Sequence, residues 1–404
     1  MTATRKTPQQ MFQESLILGM DEQRRRIEAS EEIRINDDHS VQSWESLGFV
    51  FQAAPDADAL LPELWPSTRD LLLAIAPKIE ATGDWKRWMS YLDIGIYWSQ
   101  AYDDQQAEAT FRLHVGVLAQ LQNQLEIAKE MLTQSVDLYK ALGIDKGAAI
   151  ALNWMGYVTR LHKKYDLAEI YIDEALSLLT DDDFERELSY FVYGTIAYDQ
   201  RAWEKSEKYF KQSFTLCNQI QDQHRTAKRL RDLSSALQKQ MRLDEATDYC
   251  RKAVSLFEQV RDPYHCAIAQ MNLGNAYLYT EPQLSLEFYS KAKPVFVRLQ
   301  DKRHLAMIDN NQGFAYYQLQ CWADAEHSCS ASIARYEEIG DIDSLVDAMD
   351  GLGLIYSKQK KKTKAIQTFQ SALSRLYENG SKNTRLTQLI KQHLKECTLL
   401  EERG

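Results

Sequence analysis

Residues 352–372 read LGLIYSKQKKKTKAIQTFQSA, and the small residues in this stretch decide the fold. Gly353 is followed by Ala365 twelve positions later and by Ala372 nineteen positions later. Glycine inside a helix costs about 1 kcal/mol relative to alanine, so a helical Gly353 is expected only where another chain segment comes very close. The spacing therefore predicts two tightly packed antiparallel helices, one with Gly353 and the other with Ala365 and Ala372.

The same spacing recurs along most of the chain. Small residues that we call anchors recur at intervals of 40, 38, 80, 39 and 40 residues, with Ser234 filling the gap of 80. The anchors are Gly116, Gly156, Gly194, Ser234, Gly274, Gly313 and Gly353. Alanine or serine follows each anchor at 12 and 19 positions. In the fifth repeat both residues, Ser285 and Ala292, come one position early. A fixed period indicates a repeat protein, and apolar spacings of three, four and seven indicate helices. We expect an all-α, right-handed α-solenoid of seven helix-turn-helix repeats.

The repeats resemble a known family. Residues 272–277, which read NLGNAY, and residues 353–356, which read GLIY, look like tetratricopeptide repeats. The period near 40 exceeds the familiar 34. In this the chain is similar to the long-repeat subclass of bacterial STAND regulators, Rap-type peptide receptors, kinesin light chains and cell-polarity adaptors. The resemblance covers residues 105–380 and implies the fold, whereas a fold alone does not fix a function.

The rest of the chain divides into three parts. We expect an N-terminal helical segment over 1–61, with a helix at about 8–33 and a break at 36–39. Residues 62–104 are interpreted as a degenerate first repeat, and residues 381–404 as a capping helix of the kind that a solenoid needs at its end.

Aspartates are expected to cap the helices that follow the linkers, because a carboxylate can accept hydrogen bonds from the free N–H groups of a first turn. Pro263 fits a first helical position, where no N–H is needed. The candidate caps are Asp145, Asp222, Asp262, Asp301 and Asp341.

Composition excludes several classes of protein. The 404 residues are 44% hydrophobic and 26% charged, with a formal net charge of -10. That is too apolar for a disordered chain, and it lacks the basic footprint of a general nucleic-acid binder. No stretch reaches the ~18 uncharged apolar residues of a membrane span, and the N-terminus MTATRKTPQQ does not lead into a signal-peptide core. We expect a cytoplasmic protein that binds neither nucleic acid nor membrane.

Chemical motifs are missing from the sequence. It contains no GxxxxGK[ST], GxGxxG, HExxH or GxSxG motif, so we expect no enzyme, no cofactor and no metal site. Six cysteines without a CxxC pair are interpreted as buried core thiols in a reducing compartment. The nearest approach to a reactive cluster is Cys321, His327 and Cys329; core packing is the better interpretation, and a thiol site stays as the alternative.

A binding surface is expected on the first helix of each repeat. Positions -6, -3, +1 and +4 from an anchor share one face, which we call the first-helix stripe, and stacked repeats would line a concave groove with it. Asparagine amides there can pair with a peptide backbone, and aromatic rings supply anchoring area. The candidate residues are Asn153, Tyr157, Arg160, Phe191, Tyr198, Lys228, Arg231, Asn275, Asn310, Phe314 and Tyr317.

Charge along the stripe suggests a polarity for the ligand. Arg160, Lys228 and Arg231 form a basic middle, and Asp347 with Asp350 forms an acidic end. We therefore expect a ligand that presents acidic or carboxyl-terminal groups to the middle and a basic residue to the end.

Three regulatory roles fit this sequence. The first is a non-enzymatic scaffold or regulatory subunit that captures a peptide or protein in the groove. The second is a peptide-responsive switch, as the resemblance to Rap-type receptors implies. The third is an accessory or target protein of a signalling or defence effector such as a caspase-like protease, as implied by the similarity of residues 83–88 and the following repeats to STAND regulators. The sequence leaves the partner and the oligomeric state open.

Overall fold

A computed structural model of the chain describes residues 7–29, 47–48, 62–77, 85–380 and 384–399. Within these ranges the regular secondary structure is helical, and no strand occurs. The helices are α1 (Pro8–Ala29), α2 (Trp65–Ile75), α3 (Trp85–Ala101), α4 (Gln105–Leu121), α5 (Leu125–Ala141), α6 (Asp145–Leu161), α7 (Tyr165–Ser177), α8 (Arg186–Asp199), α9 (Trp203–Gln219), α10 (Gln223–Lys239), α11 (Leu243–Gln259), α12 (Pro263–Tyr277), α13 (Pro282–Arg298), α14 (Lys302–Gln318), α15 (Trp322–Ile339), α16 (Ile342–Lys358), α17 (Lys362–Glu378) and α18 (Thr384–Leu399). The expected all-α fold of helix-turn-helix repeats is confirmed.

The chain divides into two compact units. Unit 1 comprises Met1–Gln240 and Ser255–Asp262, and unit 2 comprises Met241–Val254 and Pro263–Gly404. Unit 1 contains the helix pairs α4/α5, α6/α7 and α8/α9, and unit 2 contains α12/α13, α14/α15 and α16/α17. No helix of the described residues is long and apolar enough to cross a membrane.

A helix of 17 residues and a linker of three build most of the repeats, as in α4, α5 and α6. Two such modules give the 40-residue period. One linker residue, the middle one in the three-residue linkers, adopts the left-handed conformation, at Asp103, Asn123, Gly143, Lys163, Arg201, Gln221, Met241, Arg261, Gln300, Gln320, Gly340, Lys360 and Gly380. After α4, the N–H of Asn123 bonds the carbonyl of Gln120 and that of Gln124 bonds Ala119, the Schellman pattern that satisfies the last carbonyls of a helix.

The anchors lie where paired helices touch. A Cβ atom built on Gly353 would come within 2.4 Å of the Phe369 ring, and one on Gly313 within 2.4 Å of Cys329 Sγ. The equivalent distances are 2.7 Å at Gly116, 2.5 Å at Gly194 and 2.6 Å at Gly274. No side chain larger than hydrogen fits at these distances, so the expected close packing is confirmed.

The second small residue of a pair adds a polar link. Ser135 Oγ donates to the carbonyl of Ala109 at 2.8 Å, and Ser332 Oγ donates to that of Ala306 at 2.9 Å. Each serine reaches 26 residues back to the first helix of its own pair. Both serines are fully buried, so the bond satisfies a hydroxyl group that burial would otherwise leave without water.

The linker aspartates cap helices as expected in three cases. Asp222, Asp301 and Asp341 each accept a hydrogen bond from the backbone N–H three residues later, at 2.9, 3.1 and 3.2 Å. Pro263 begins α12 as expected. Asp145 was expected to cap and does not: it is already the first residue of α6, since Ile144 occupies the capping position.

The thiols differ from expectation at one position. Five cysteines are buried, but Cys321 is exposed because it precedes α15 in the linker rather than lying on the packed face of the helix. Cys329 is buried in the slot opposite Gly313, and His327 is exposed. These positions do not form one reactive cluster.

The flanking helices pack against their neighbours within each unit. In unit 1, Arg24 Nη1 of α1 lies 3.0 Å from Asp70 Oδ2 of α2. In unit 2, His393 Nδ1 of α18 lies 2.8 Å from Asp350 Oδ1 of α16. The predicted break at 36–39 falls outside the described residues.

Gly351 and Gly353 give a matched test of the packing constraint, because both lie inside α16. Substitution by alanine raises the helix propensity by the same amount at either position. The nearest atom to a Cβ on Gly351 is Phe314 Cζ at 3.3 Å, compared with 2.4 Å for the Phe369 ring at Gly353. We expect Gly353→Ala to lower the free energy of unfolding by about 1–3 kcal/mol and Gly351→Ala to change it by less than about 1 kcal/mol. Urea denaturation compares the two, and equal midpoints would contradict the packing argument.

Candidate functional site

The predicted site residues fall into two groups. Asn153, Tyr157, Arg160, Phe191, Tyr198, Lys228 and Arg231 lie on α6, α8 and α10 of unit 1, and Asn275, Asn310, Phe314 and Tyr317 lie on α12 and α14 of unit 2. All eleven are on first helices of their pairs, as the spacing requires. The structure therefore presents two separate sets of stripe residues.

Aromatic rings and guanidinium groups alternate in unit 1. The rings of Tyr157 and Phe191 stack with centroids 5.8 Å apart. The Arg160 guanidinium lies 4.6 Å from the Tyr157 centroid, and that of Arg229 lies 3.7 Å from the Phe191 centroid. Cation–π attraction holds such an arrangement together. Sequence reasoning identified Tyr157, Arg160 and Phe191 but missed Arg229, which is one position outside the stripe.

Arg229 belongs to a buried ionic network. Its side chain pairs with Glu187, and the two residues are 6% and 1% exposed. Ser213 Oγ donates to Glu187 at 2.6 Å, and Arg229 Nη1 donates to Asp232 at 3.0 Å. Burial alone would raise the pKa of Glu187, but the charge and hydrogen bonds of Arg229 outweigh it and hold the pKa below its usual value. The partners are 42 residues apart, so no local sequence signal shows the pair.

The basic middle of the stripe is largely neutralised within the protein. Arg160 Nε lies 3.2 Å from Asp199 Oδ2, and Arg231 Nη2 lies 2.8 Å from Asp232 Oδ1. Burial raises the pKa of Asp199, although Arg160 opposes this. An acidic ligand would therefore meet arginines that already have carboxylate partners.

Tyr198 and Tyr317 occupy equivalent positions, four residues after their anchors. Each packs edge-on against the tryptophan that begins the second helix of its pair, with centroids 5.2 Å apart for Tyr198–Trp203 and 5.6 Å for Tyr317–Trp322. Burial, with the negative charges of nearby aspartates, raises the pKa of Tyr198 to about 12. Both rings therefore contribute to packing within the repeat as well as to the stripe.

The three asparagines differ in how their amides are satisfied. Asn275 Oδ1 accepts from Tyr289 Oη and from Asn311 Nδ2, both at 2.8 Å. Asn153 is fully buried, and neither of its amide atoms has a hydrogen-bond partner. Asn310 is 8% exposed; its Nδ2 lies 3.4 Å from Asp347 Oδ2, and its Oδ1 has no partner. Asn153 and Asn310 both lie three residues before an anchor.

Phe314 and Tyr317 line a small apolar cavity in unit 2, between α14 and α16. Its volume is about 20 Å³. The lining residues are Phe314, Tyr317, Cys329, Gly351, Leu354 and Ile355. Sequence reasoning placed the two rings on the stripe but did not foresee the cavity.

The buried ion pair predicts a specific pattern of stability. Because removal of one partner leaves the other charge uncompensated, we expect Glu187→Gln to lower the free energy of unfolding by about 3–5 kcal/mol, and the added change Arg229→Met to recover part of it. Thermal and urea unfolding at neutral pH measure both effects. Equal losses in the single and double variants would contradict the account.

The stability of wild type and of Glu187→Gln should depend differently on pH. The depressed pKa of Glu187 means that its contribution is present above the unfolded value near 4.5 and is lost as the pH falls through the lower folded value. Wild type should therefore lose more stability than Glu187→Gln between about pH 6 and pH 3. Parallel stability curves for the two proteins would overturn this assignment.

Comparison with known proteins agrees with the repeat architecture. Residues 225–296 and 304–378 match the family model of the tetratricopeptide repeat. No match was found among curated protein sequences.

Solved structures show the same fold at low sequence identity. Aspartyl phosphate phosphatase F from Bacillus subtilis is 14% identical, with a TM-score of 0.54, and the match covers 93% of this chain and 96% of that one. A STAND protein with a tetratricopeptide repeat sensor from Pyrococcus horikoshii is 14% identical, with a TM-score of 0.54, over 91% of this chain and 50% of that one. A Rap protein complexed with competence and sporulation factor is 15% identical, with a TM-score of 0.50, over 86% and 99%. At these identities the likeness shows the fold alone.

Proposed function

We propose that this chain, whose fold is built from tetratricopeptide repeats, is a non-enzymatic regulatory scaffold that binds a peptide or an extended protein segment along its first-helix stripes. The proposal places the protein in the cytoplasm, where its free thiols would stay reduced. The signal-related proteins of similar fold, a Rap protein in complex with a factor and a STAND sensor, are in keeping with a regulatory role.

The amides of Asn153 and Asn310 carry the proposal. Both residues occupy the position three before an anchor, one in each unit, and both leave Oδ1 without a hydrogen-bond partner despite burial. A buried polar atom without a partner costs about 1–3 kcal/mol, and one repeat position carries such an atom in both units. Because both Oδ1 atoms are covered by protein, a peptide would reach them only after a neighbouring side chain moves aside. A peptide backbone offers N–H and C=O groups that match an amide side chain.

Aromatic rings next to Asn153 supply the apolar part of such a contact. Tyr157 and Phe191 are half-buried, and stacking with Arg160 and Arg229 fixes their orientation. Rings held in place before binding lose little conformational entropy when a ligand covers them. Lys228 is half-buried on the same stripe, whereas Arg160 and Arg231 lie beside the carboxylates of Asp199 and Asp232.

Asn153→Leu gives the sharpest test, since it replaces an unpartnered buried amide with an apolar side chain of similar size. We expect the variant to be more stable than wild type by about 1–3 kcal/mol and to bind library-selected peptides at least tenfold more weakly. The measurement is fluorescence anisotropy on peptides selected from a random library against the full chain, with unfolding curves alongside.

Two matched variants serve as controls. Asn275→Leu removes an amide that accepts two hydrogen bonds. This variant should therefore be less stable than wild type, whereas Asn153→Leu should be more stable. Asn218→Leu, at an exposed position on α9, should leave peptide affinity unchanged. Failure to select any peptide, or equal binding by wild type and Asn153→Leu, would count against the proposal.

A further inference from the structure

The apolar cavity of unit 2 exists because α16 has a glycine at its wall. A Cβ on Gly351 would lie 3.3 Å from Phe314 Cζ and 3.9 Å from Cys329 Sγ, so one methyl group would take up the space. The volume of about 20 Å³ exceeds the roughly 10–15 Å³ that one water-sized sphere needs. The cavity therefore accepts a branch the size of a methyl group and excludes a ring.

Two polar residues lie one helical turn from residues that line this cavity. Asp347 is exposed and lies one helical turn before Gly351, and Asn310 lies one turn before Phe314. Asn310 Nδ2 is 3.4 Å from Asp347 Oδ2, while the buried Asn310 Oδ1 has no partner. Burial, with the negative charge of Asp347, raises the pKa of the Cys329 thiol, which lines the cavity, to about 12. The exposed group near the cavity is thus the carboxylate of Asp347.

We propose that the cavity is a subsite for a short aliphatic side chain, such as valine, that is adjacent to a positively charged group in the bound segment. The methyl branch enters between Phe314 and Gly351, and the cation pairs with Asp347. This inference rests on the proposed function and specifies which sequence that function selects. The cation can come from an arginine or lysine side chain or from a free N-terminus, since both offer N–H donors with positive charge.

Charge and size together favour this occupant. An acidic residue would face the Asp347 carboxylate at close range, and like charges repel. An aromatic side chain exceeds the space that Gly351 leaves. Each buried methylene contributes about a fourfold gain in affinity, so replacing valine by glycine, which removes the methyl group from the cavity, should weaken binding by at least about fourfold.

The test uses four fluorescein-labelled peptides on the full chain, read by anisotropy. The parent is acetyl-Ser-Gly-Val-Arg-Ser-Gly; one variant has glycine for valine and another has serine for arginine. The fourth peptide, Val-Ser-Gly-Ser-Gly with a free N-terminus, decides which source of the cation is preferred. Wild type should bind the parent more tightly than the variant with glycine for valine. It should also bind the parent more tightly than the variant with serine for arginine, which lacks the cation.

Two protein variants separate the two halves of the subsite. Gly351→Ala fills the cavity, so it should abolish the valine preference and keep the arginine preference. Asp347→Asn retains the shape without the charge, so it should abolish the arginine preference and keep the valine preference. Circular dichroism and the unfolding midpoint confirm that both variants are folded.

The possible outcomes are distinct. If library-selected peptides bind wild type but neither preference exists, or if both preferences persist in both variants, the subsite is wrong and the proposed function stands. If no peptide of any kind binds wild type, the proposed function fails and the subsite fails with it.

Discussion

The close approach of paired helices at the anchors is the constraint on which the remaining structure depends. At Gly353 and Gly313 a single methyl group would meet a neighbouring side chain at 2.4 Å, so the two helices of a pair have one distance and one register. The serine hydrogen bonds that reach 26 residues back reinforce that register. Helices of 17 residues and three-residue linkers build most of the repeats. The stripe residues then fall at equivalent places in successive first helices.

Some buried polar groups of the repeats are fully hydrogen-bonded, and others have no hydrogen-bond partner. Glu187 and Arg229 satisfy each other and take further bonds from Ser213 and Asp232, which suits a fixed structural role. Asn153 and Asn310 sit at one repeat position and leave amide atoms without partners. The first arrangement stabilises unit 1, whereas the second leaves buried amide atoms without hydrogen bonds. The contrast supports a division between residues that hold the repeats and residues that bind.

Local signals in the sequence predicted much of the fold. Anchor spacing defined the helix pairs, and Asp222, Asp301 and Asp341 marked helix starts that the structure confirms. The prediction that Asp145 caps a helix was wrong, because the linker ends one residue earlier, at Ile144. The left-handed linker positions carried no clear signal, since residues such as Lys163 and Met241 adopt a conformation that is usual for glycine. The core thiol expected at Cys321 lies exposed for the same reason that Asp145 misled: linker boundaries are set by packing more than by local composition.

The candidate site was less accessible to sequence reasoning. Helical periodicity placed Tyr157, Phe191 and Phe314 on one face, and they lie on the first helices as expected. Periodicity could not show that Arg160 and Arg231 have carboxylate partners, or that Asn275 holds Tyr289 while Asn153 has no partner. The Glu187–Arg229 pair joins residues 42 positions apart. The Arg160–Asp199 and Glu187–Arg229 contacts depend on the packing of one repeat on the next, which no single repeat encodes.

Site-specific photo-cross-linking within one helix pair tests the central claim most directly. A benzoylphenylalanine at Ser357, on the stripe of α16, is compared with one at Ser374, exposed on α17 of the same pair. A peptide selected from a random library should cross-link to the Ser357 position, be displaced by excess unlabelled peptide, and leave the Ser374 position unmodified. Competable cross-linking at Ser374 and none at Ser357 would show that the first helices are not the binding surface.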